Sequence, residues 1–272
     1  MSEQLQLRDE SQLALHGLTL VVPIYNEKDS VERLSERLEK VCGGMTDPHE
    51  ILLVDDGSND GTSEVLQAMD LPNVRVLTHT INRGYGSALK TGVRAAQYPW
   101  IAITDADETY PDERIPELYQ LACDQSIEMV VGARVGADAK IPLIRRFPKF
   151  VLGVLANWLS GFKIPDINSG LRIMRKEVVK RYLRILPDGF SFTTTITLAM
   201  LSAGNRVEYV PISYANRSGS SKIRPIYDTL NFLQLICRAV LWYNPLRVFI
   251  PLCLFFFLAA VGLVGVCMGY FR

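Results

Sequence analysis

The sequence predicts an α/β domain built on a mostly parallel sheet, followed by a helix that crosses a membrane. Three observations predict it. Short apolar runs alternate with stretches of helical spacing through the first half. That is the pattern of strands joined by crossover helices, which gives a sheet covered on both faces. Two acidic motifs, Asp55-Asp56-Gly57-Ser58 and Asp105-Ala106-Asp107, each follow such an apolar run. Finally, Val248 to Phe271 contains no charged residue, a length sufficient for a bilayer core of about 30 Å.

The elements follow in order. Residues 18–24, LTLVVPI, read as a buried strand. Ser30 to Val41 places Val31, Leu34 and Leu38 at helical spacing. Residues 50–55 form a second strand, and Asp60 to Met69 a helix capped by Asn59 or Asp60. Residues 74–79 are a third strand and Gly86 to Gln97 a helix. Residues 100–105 are a fourth strand, and Pro111 opens the next helix, its ring suited to a first turn. Residues 128–134 are a fifth strand. The second half is less regular. Phe190 to Ala203 reads as a helix and residues 206–214 alternate as a strand. Residues 223–243 carry Ile226, Leu230, Leu233 and Ile236 near one face, which suggests a helix lying in the membrane interface.

Composition excludes several classes. Lys+Arg and Asp+Glu balance at 29 each, and no local basic stripe offers a nucleic-acid surface. The five cysteines show no CxxC spacing, so neither a disulfide framework nor a zinc site is expected. His16, His49 and His79 lack metal spacing and read as structural. The polar start has no basic segment ahead of an apolar one, so it reads as a leader and not a signal peptide. Arg224, Arg238 and Arg247 precede the apolar tail and only Arg272 follows it. The positive-inside tendency then puts the main domain in the cytoplasm.

In sheets of this kind, ligands gather beyond the C-terminal ends of the strands, and both acidic motifs fall there. Asp105 and Asp107 flank a small residue. In extended chain, alternate side chains point the same way, so two hard oxygen donors can face one Mg2+ or Mn2+ and leave positions for phosphate oxygens. The bland alternative is a helix start with a solvated turn. Asp55 and Asp56 could likewise be turn formers, or one of them, Asp56 being nearer the rim, could accept hydrogen bonds from a base or ribose. Tyr25 and Glu27 end the first strand and are placed to meet a base. Gly84-Tyr85-Gly86 lacks a full dinucleotide fingerprint and reads as a loop that lets backbone approach a donor.

Taken together, VVPIYNE (21–27), VDDGSNDGT (54–62), NRGYGSALKTG (82–92) and TDAD (104–107) resemble the inverting family-2 glycosyltransferases with a GT-A fold. VGAR (131–134), DINSGLRIMRK (166–176) and VPISYANRSGSSK (210–222) resemble the dolichyl-phosphate mannosyltransferase and polyprenyl-phosphate glycosyltransferase branch. The resemblance implies a GT-A catalytic domain over 18–221 after a flexible leader over 1–17. Within it, 18–134 is the nucleotide and metal half and 135–221 the acceptor half. An interfacial helix over 222–244 and a transmembrane helix over 246–271 follow. Pro23, Tyr25, Glu27 and Asp56 would hold the nucleotide, with the Ala106 backbone near the diphosphate. Asp105 and Asp107 would bind the metal and, with Arg134, carry catalysis. Arg134, with Arg145 or Arg146, would hold the acceptor phosphate. Arg217 and Lys222 would close over donor or acceptor, and Ser169, Gly170 and Arg172 would shape the sugar and acceptor pocket. Mannosyltransferase relatives often place a Gln as a further metal ligand where this chain has Thr109. Thr109 would then ligate through its hydroxyl or a water, or Glu108 would take over.

The implied reaction passes a sugar from a UDP- or GDP-sugar to undecaprenyl or dolichyl phosphate. Enzymes of this branch can associate, so self-association is a further expectation. A phosphate monoester is already anionic near neutral pH, with a second pKa of about 6. It needs little general-base help. The task is to overcome repulsion between acceptor and donor phosphates, which suits the planar forks of Arg134, Arg145, Arg146, Arg172 and Arg217. A family-2 transferase with a saccharide or protein acceptor is the alternative enzyme. A non-catalytic scaffold that binds nucleotide sugars is the alternative of a different class.

Overall fold

The computed structural model describes residues 16–69, 71–134, 161, 164–215 and 245–270. The expected leader (apart from its last two residues), Arg145, Arg146, Arg217, Lys222 and the interfacial helix lie outside these residues. The described residues fall into two units, one holding 16–134 and 165–215, the other holding 161, 164 and 245–270.

The first unit is built on a seven-stranded sheet. The chain enters it as β1 (Leu18–Ile24), α1 (Lys28–Cys42), β2 (His49–Asp55), α2 (Thr62–Gln67), β3 (Val74–Thr78), α3 (Tyr85–Ala95) and β4 (Trp100–Ile103). A 3-10 turn (Asp112–Arg114), α4 (Ile115–Asp124) and β5 (Met129–Ala133) follow. The unit closes with β6 (Arg172–Arg175), α5 (Lys176–Tyr182), α6 (Phe192–Ser202) and β7 (Val207–Pro211). The strand order is β3-β2-β1-β4-β6-β5-β7. Alternation in β1 shows why the sheet is covered twice. Leu20 and Val22 enter a core with Val31, Leu34 and Leu38 of α1 and Leu118 of α4. Val21 enters a second core with Leu89 and Val93 of α3, Val179 of α5 and Phe192 and Ile196 of α6.

Two local expectations are corrected. Pro111 does not begin a helix; the chain makes a 3-10 turn first, and Pro116 occupies the first turn of α4, where a missing N–H costs nothing. The helix expected from Asp60 starts at Thr62, after Gly61 at φ +95°. Asp60 still serves its start, accepting the Thr62 N–H at 3.0 Å.

The strand that the sequence pattern does not announce is β6. It pairs antiparallel with both β4 and β5, joining Arg172 to Ile103 on one side and to Val131 on the other. All other pairings are parallel. Because β6 runs the other way, its start lies at the rim where β1, β2 and β4 end. Residues 168–171 therefore reach the same rim as the two acidic motifs.

In the second unit, α7 (Leu246–Tyr270) carries 22 residues, Phe249–Tyr270, long and apolar enough to cross a membrane. Its apolar side chains, among them Phe255, Phe256, Leu263 and Val266, are exposed.

Candidate active site

The rim is built by short-range locks. At the end of β1, Asn26 takes φ +52°. Its side-chain amide exchanges hydrogen bonds with Asn59, donating to the Asn59 side chain at 3.0 Å and accepting the Asn59 N–H at 2.9 Å. The Glu27 N–H donates to the Thr62 hydroxyl at 3.1 Å. These bonds fix Tyr25 and Glu27 against the turn after β2.

The two aspartates of that turn have separate jobs. Asp55 is fully buried and accepts from the Ser58 N–H at 3.0 Å and from the Ser63 hydroxyl, so it is the turn former. Asp56, 3% exposed, accepts from His79 Nδ1 at 2.7 Å, the Arg83 N–H at 3.0 Å and the Gly84 N–H at 2.7 Å. A carboxylate has about four acceptor positions, so three of them hold the chain segment 79–84. The contact with an acceptor-only carboxylate assigns a proton to Nδ1 of His79.

Asp105 accepts the Tyr85 hydroxyl at 3.0 Å, and a Cβ on Gly170 would lie 2.9 Å from its Oδ2. Asp107 accepts the Thr109 hydroxyl at 2.6 Å and the Thr109 N–H at 3.3 Å on one oxygen. Burial, then the charge of Asp105, pushes the Tyr85 and Tyr110 phenols well up. Both therefore stay protonated: Tyr85 donates to Asp105, while Tyr110 accepts the Gly170 N–H at 2.7 Å.

Arg134, just past β5, is held by Asp166 through Nε at 2.7 Å and Nη2 at 2.9 Å, and its guanidinium lies 5.2 Å from the centre of the Tyr214 ring. Burial disfavours the Arg134 charge, but the Asp166 carboxylate outweighs it and holds the guanidinium above its ordinary range. Burial raises the Asp166 carboxyl in turn, yet Arg134 and two backbone N–H groups keep it below the usual carboxylate value.

These groups enclose one cavity of about 400 Å³. Its lining includes Pro23, Tyr25, Glu27, Asp56, Asn82 and Gly84, then Asp105, Ala106 and Asp107, and Arg134, Asn168, Gly170, Thr193 and Tyr214. Phe190, 56% exposed, also lines it and stacks on Tyr85 with ring centres 5.5 Å apart and planes 21° apart. Asn168 is fixed by Thr193, whose hydroxyl donates to its side-chain oxygen at 2.6 Å. Tyr85 and Asn168 fall inside the sequence motifs but carry no assigned role there, and Phe190 and Thr193 lie outside every motif, so all four are known in the cavity only from the fold.

Three expectations fail here. Arg172 cannot grip a phosphate: it is 0% exposed, and its guanidinium donates to the carbonyls of Ser169 and Ile167 and to the Thr197 hydroxyl. Ser169 is equally buried and donates to the Gly132 carbonyl at 2.5 Å, so it shapes the core beneath the pocket and does not line it. Glu108 does not replace a missing metal ligand; its carboxylate pairs with Arg33 at 2.8 Å and lies 3.7 Å from Arg37, outside the cavity lining. Thr109, 1% exposed, donates its hydroxyl proton to Asp107, which ties it to the expected metal-binding loop. In addition, Gly84 and Gly86 admit the chain's own backbone: a Cβ on either would lie 2.5 or 2.3 Å from the carbonyls of Asp188 and Pro187.

Among the described residues, no cluster of three or more His, Cys, Asp or Glu could hold a metal. The cavity lining does include the two carboxylates expected from the sequence, Asp105 and Asp107. Such a pair fits Mg2+ or Mn2+, which commonly take one or two protein carboxylates and complete their shell from phosphates and water.

Carboxylates and an arginine thus line one cavity at the edge of a mostly parallel sheet. The family model "Glycosyl transferase family 2" matches residues 19–183. The chain belongs to glycosyl transferase family 2 and is a glycosyltransferase with a GT-A fold. It is similar to the undecaprenyl-phosphate 4-deoxy-4-formamido-L-arabinose transferase of Edwardsiella ictaluri (strain 93-146), at 32% identity over 236 residues, covering 85% of this chain and 69% of that one. It is also similar to the dolichyl-phosphate hexose transferase of Haloferax volcanii, at 30% identity over 209 residues, covering 76% and 87%. Among solved structures, glucosyl-3-phosphoglycerate synthase from Mycobacterium tuberculosis, in complex with Mn2+, UDP and glucosyl-3-phosphoglycerate, shares the fold at TM-score 0.62 and 18% identity, covering 86% and 83%. S. aureus TarS 1–349 with UDP-GlcNAc does so at TM-score 0.60 and 17% identity, covering 84% and 68%.

Proposed function

We propose that this glycosyltransferase moves a sugar from a nucleoside-diphosphate donor to the phosphate of a polyprenyl lipid at the cytoplasmic face of a membrane. The observation that carries the reading is the single cavity in which Asp105 and Asp107 share walls with the Asp166-held Arg134. The names of the two relatives supply the acceptor class.

Asp105 and Asp107 would hold Mg2+ or Mn2+, which neutralises charge on a departing diphosphate. Pro23, Tyr25, Glu27 and Asp56 bind the nucleoside end, and Asp56 also holds the 79–84 segment that borders it. Arg134 keeps its positive charge through Asp166 and orients the acceptor phosphate. That phosphate is already anionic, so the residues here position two anions and offset their repulsion. No base need be found. Phe190 on Tyr85 gives the sugar end an apolar wall. In the proposed arrangement α7 crosses the membrane and keeps the enzyme at the surface where a long-chain lipid phosphate resides. The arginine bias ahead of α7 supports the cytoplasmic orientation.

The test is transfer from radiolabelled UDP- and GDP-sugars to a polyprenyl phosphate in detergent, followed by solvent partition. Product is expected in the organic phase, dependent on Mg2+ or Mn2+, and lost in Asp105→Asn and Asp107→Asn. Undiminished product in both variants refutes the metal site. Product found only in the aqueous phase refutes the lipid acceptor.

A further inference from the structure

The loop that carries Asp105 and Asp107 is held from behind. We propose that Thr109 and Glu108 are positioning residues for these two carboxylates, and that Arg33 and Arg37 of α1 set the loop's affinity for a divalent cation. The proposal rests on Asp105 and Asp107 being metal ligands.

Thr109 places two donors on one oxygen of Asp107, its hydroxyl at 2.6 Å and its N–H at 3.3 Å. Two donors on one oxygen fix the plane of the carboxylate and so determine how it faces the cavity. Thr109 is itself tied, since its carbonyl accepts the Ala215 N–H at 3.0 Å. Between the two, Glu108 takes φ +59°, a left-handed conformation that a non-glycine residue adopts only when its surroundings enforce it. The enforcing groups are visible. Arg33 and Arg37 stand four residues apart and so share a face of α1. Arg33 donates to Glu108 at 2.8 Å, and Arg37 approaches the same oxygen at 3.7 Å. Arg37 also donates to Asp112 through Nε at 3.0 Å and through Nη2 at 2.5 Å, and the other Asp112 oxygen accepts the Thr104 hydroxyl at 2.6 Å. Thr104 directly precedes Asp105. One helix face therefore grips the loop at its start, through Asp112 and Thr104, and at its turn, through Glu108. The left-handed turn at Glu108 sends its carboxylate toward α1, and Thr109 takes the place beside Asp107. A two-carboxylate site lacks the rigidity that a third ligand would add, and this clamp supplies it through the fold.

The test follows Mn2+ binding to the full chain in detergent by the EPR signal of the free ion, with and without UDP. Wild type should bind, and Asp105→Asn and Asp107→Asn should not. A wild type that binds no Mn2+ sinks the metal-site reading itself. Given wild-type binding, Thr109→Val should raise the Mn2+ Kd about tenfold, the scale of one hydrogen bond to a charged group. Thr109→Ser, which keeps the hydroxyl, should stay within about twofold. Glu108→Gln and Arg33→Ala should weaken Mn2+ in the same direction and cover the case in which Thr109→Val fails to fold. Water-proton relaxation should give the same number of waters on bound Mn2+ in Thr109→Val as in wild type. An unchanged Kd in Thr109→Val, or in both clamp variants, overturns the proposal. So does an added water on the ion in Thr109→Val, which would make Thr109 a ligand.

Discussion

Replacing Gly170 with alanine should disable the enzyme while leaving it folded. The new Cβ would lie 2.9 Å from Asp105 Oδ2, 3.2 Å from Asp105 Cγ and 3.1 Å from Tyr110 Cε2. Relaxation to an ordinary contact of about 3.4 Å requires a movement of about 0.5 Å. Tyr110 has little room to give it, because its ring is buried and its hydroxyl is bonded to the Gly170 N–H. The displacement falls on Asp105, whose other oxygen is tethered by Tyr85. Misplacing a reacting group by 1 Å can cost about a hundredfold, so half that shift at the carboxylate proposed to hold the metal should lower kcat/KM by about ten- to a hundredfold. Stability should barely move, since the lower entropy of the unfolded chain returns about 0.4–1 kcal/mol. The assay pairs lipid-transfer kinetics with thermal melting in detergent. A Gly170→Ala enzyme with wild-type kcat/KM would refute the reasoning. So would one that loses activity only in proportion to a large fall in Tm.

Two further outcomes separate structural from substrate-facing groups. Arg172→Met should lower stability by about 3 kcal/mol, because the carbonyls of Ser169 and Ile167 and the Thr197 hydroxyl lose a buried donor. Denaturant melting checks this; an unchanged midpoint with a raised acceptor KM would show that Arg172 reaches substrate after all. Asp166→Asn should cost stability in a pH-dependent way. Because the Asp166 carboxyl is held below its unfolded value of about 3.9, its contribution is present above that pH and is lost as pH falls through the lower folded value. The Tm gap between wild type and Asp166→Asn should be constant from about pH 8 to 5 and shrink below about pH 4. A gap that persists at the acid end would mean that the pair is not what the substitution disrupts.

Much of this architecture is legible in the sequence because its signals are local. Residues 18–24 and 50–55 are apolar runs ending in polar turns, and such runs become β1 and β2 nearly residue for residue. Asp105 and Asp107 are legible for the same reason, being carboxylates stationed at a strand end. What was not legible depends on partners far away in the chain. Residues 172–175 begin and end with arginine and look like loop, yet their place between β4 and β5 makes them a strand. Arg172 carries the charge of a surface residue, and only the carbonyls of residues 167 and 169 and the hydroxyl of Thr197 explain how it tolerates complete burial. Glycines 84 and 86 suggest room for a ligand, but the backbone they admit lies a hundred residues further on. The role of Thr109 is hidden behind a one-residue departure from a familiar spacing, and its meaning appears only with α1 packed behind the loop.

The antiparallel strand has a consequence for how such enzymes can be rebuilt. Since β6 hydrogen-bonds to β4 on one side and to β5 on the other, the strands β3-β2-β1-β4 and the strands β5-β7 form one continuous plate with no hinge line between them. A chimera that grafts a relative's second half onto this first half must therefore match the seam along Trp100–Ile103, not merely join two self-contained modules. Four residues, Arg172 to Arg175, are that seam. A graft that slips their register by one would exchange the cores that Ile173 and Met174 enter and carry Gly170 away from Asp105.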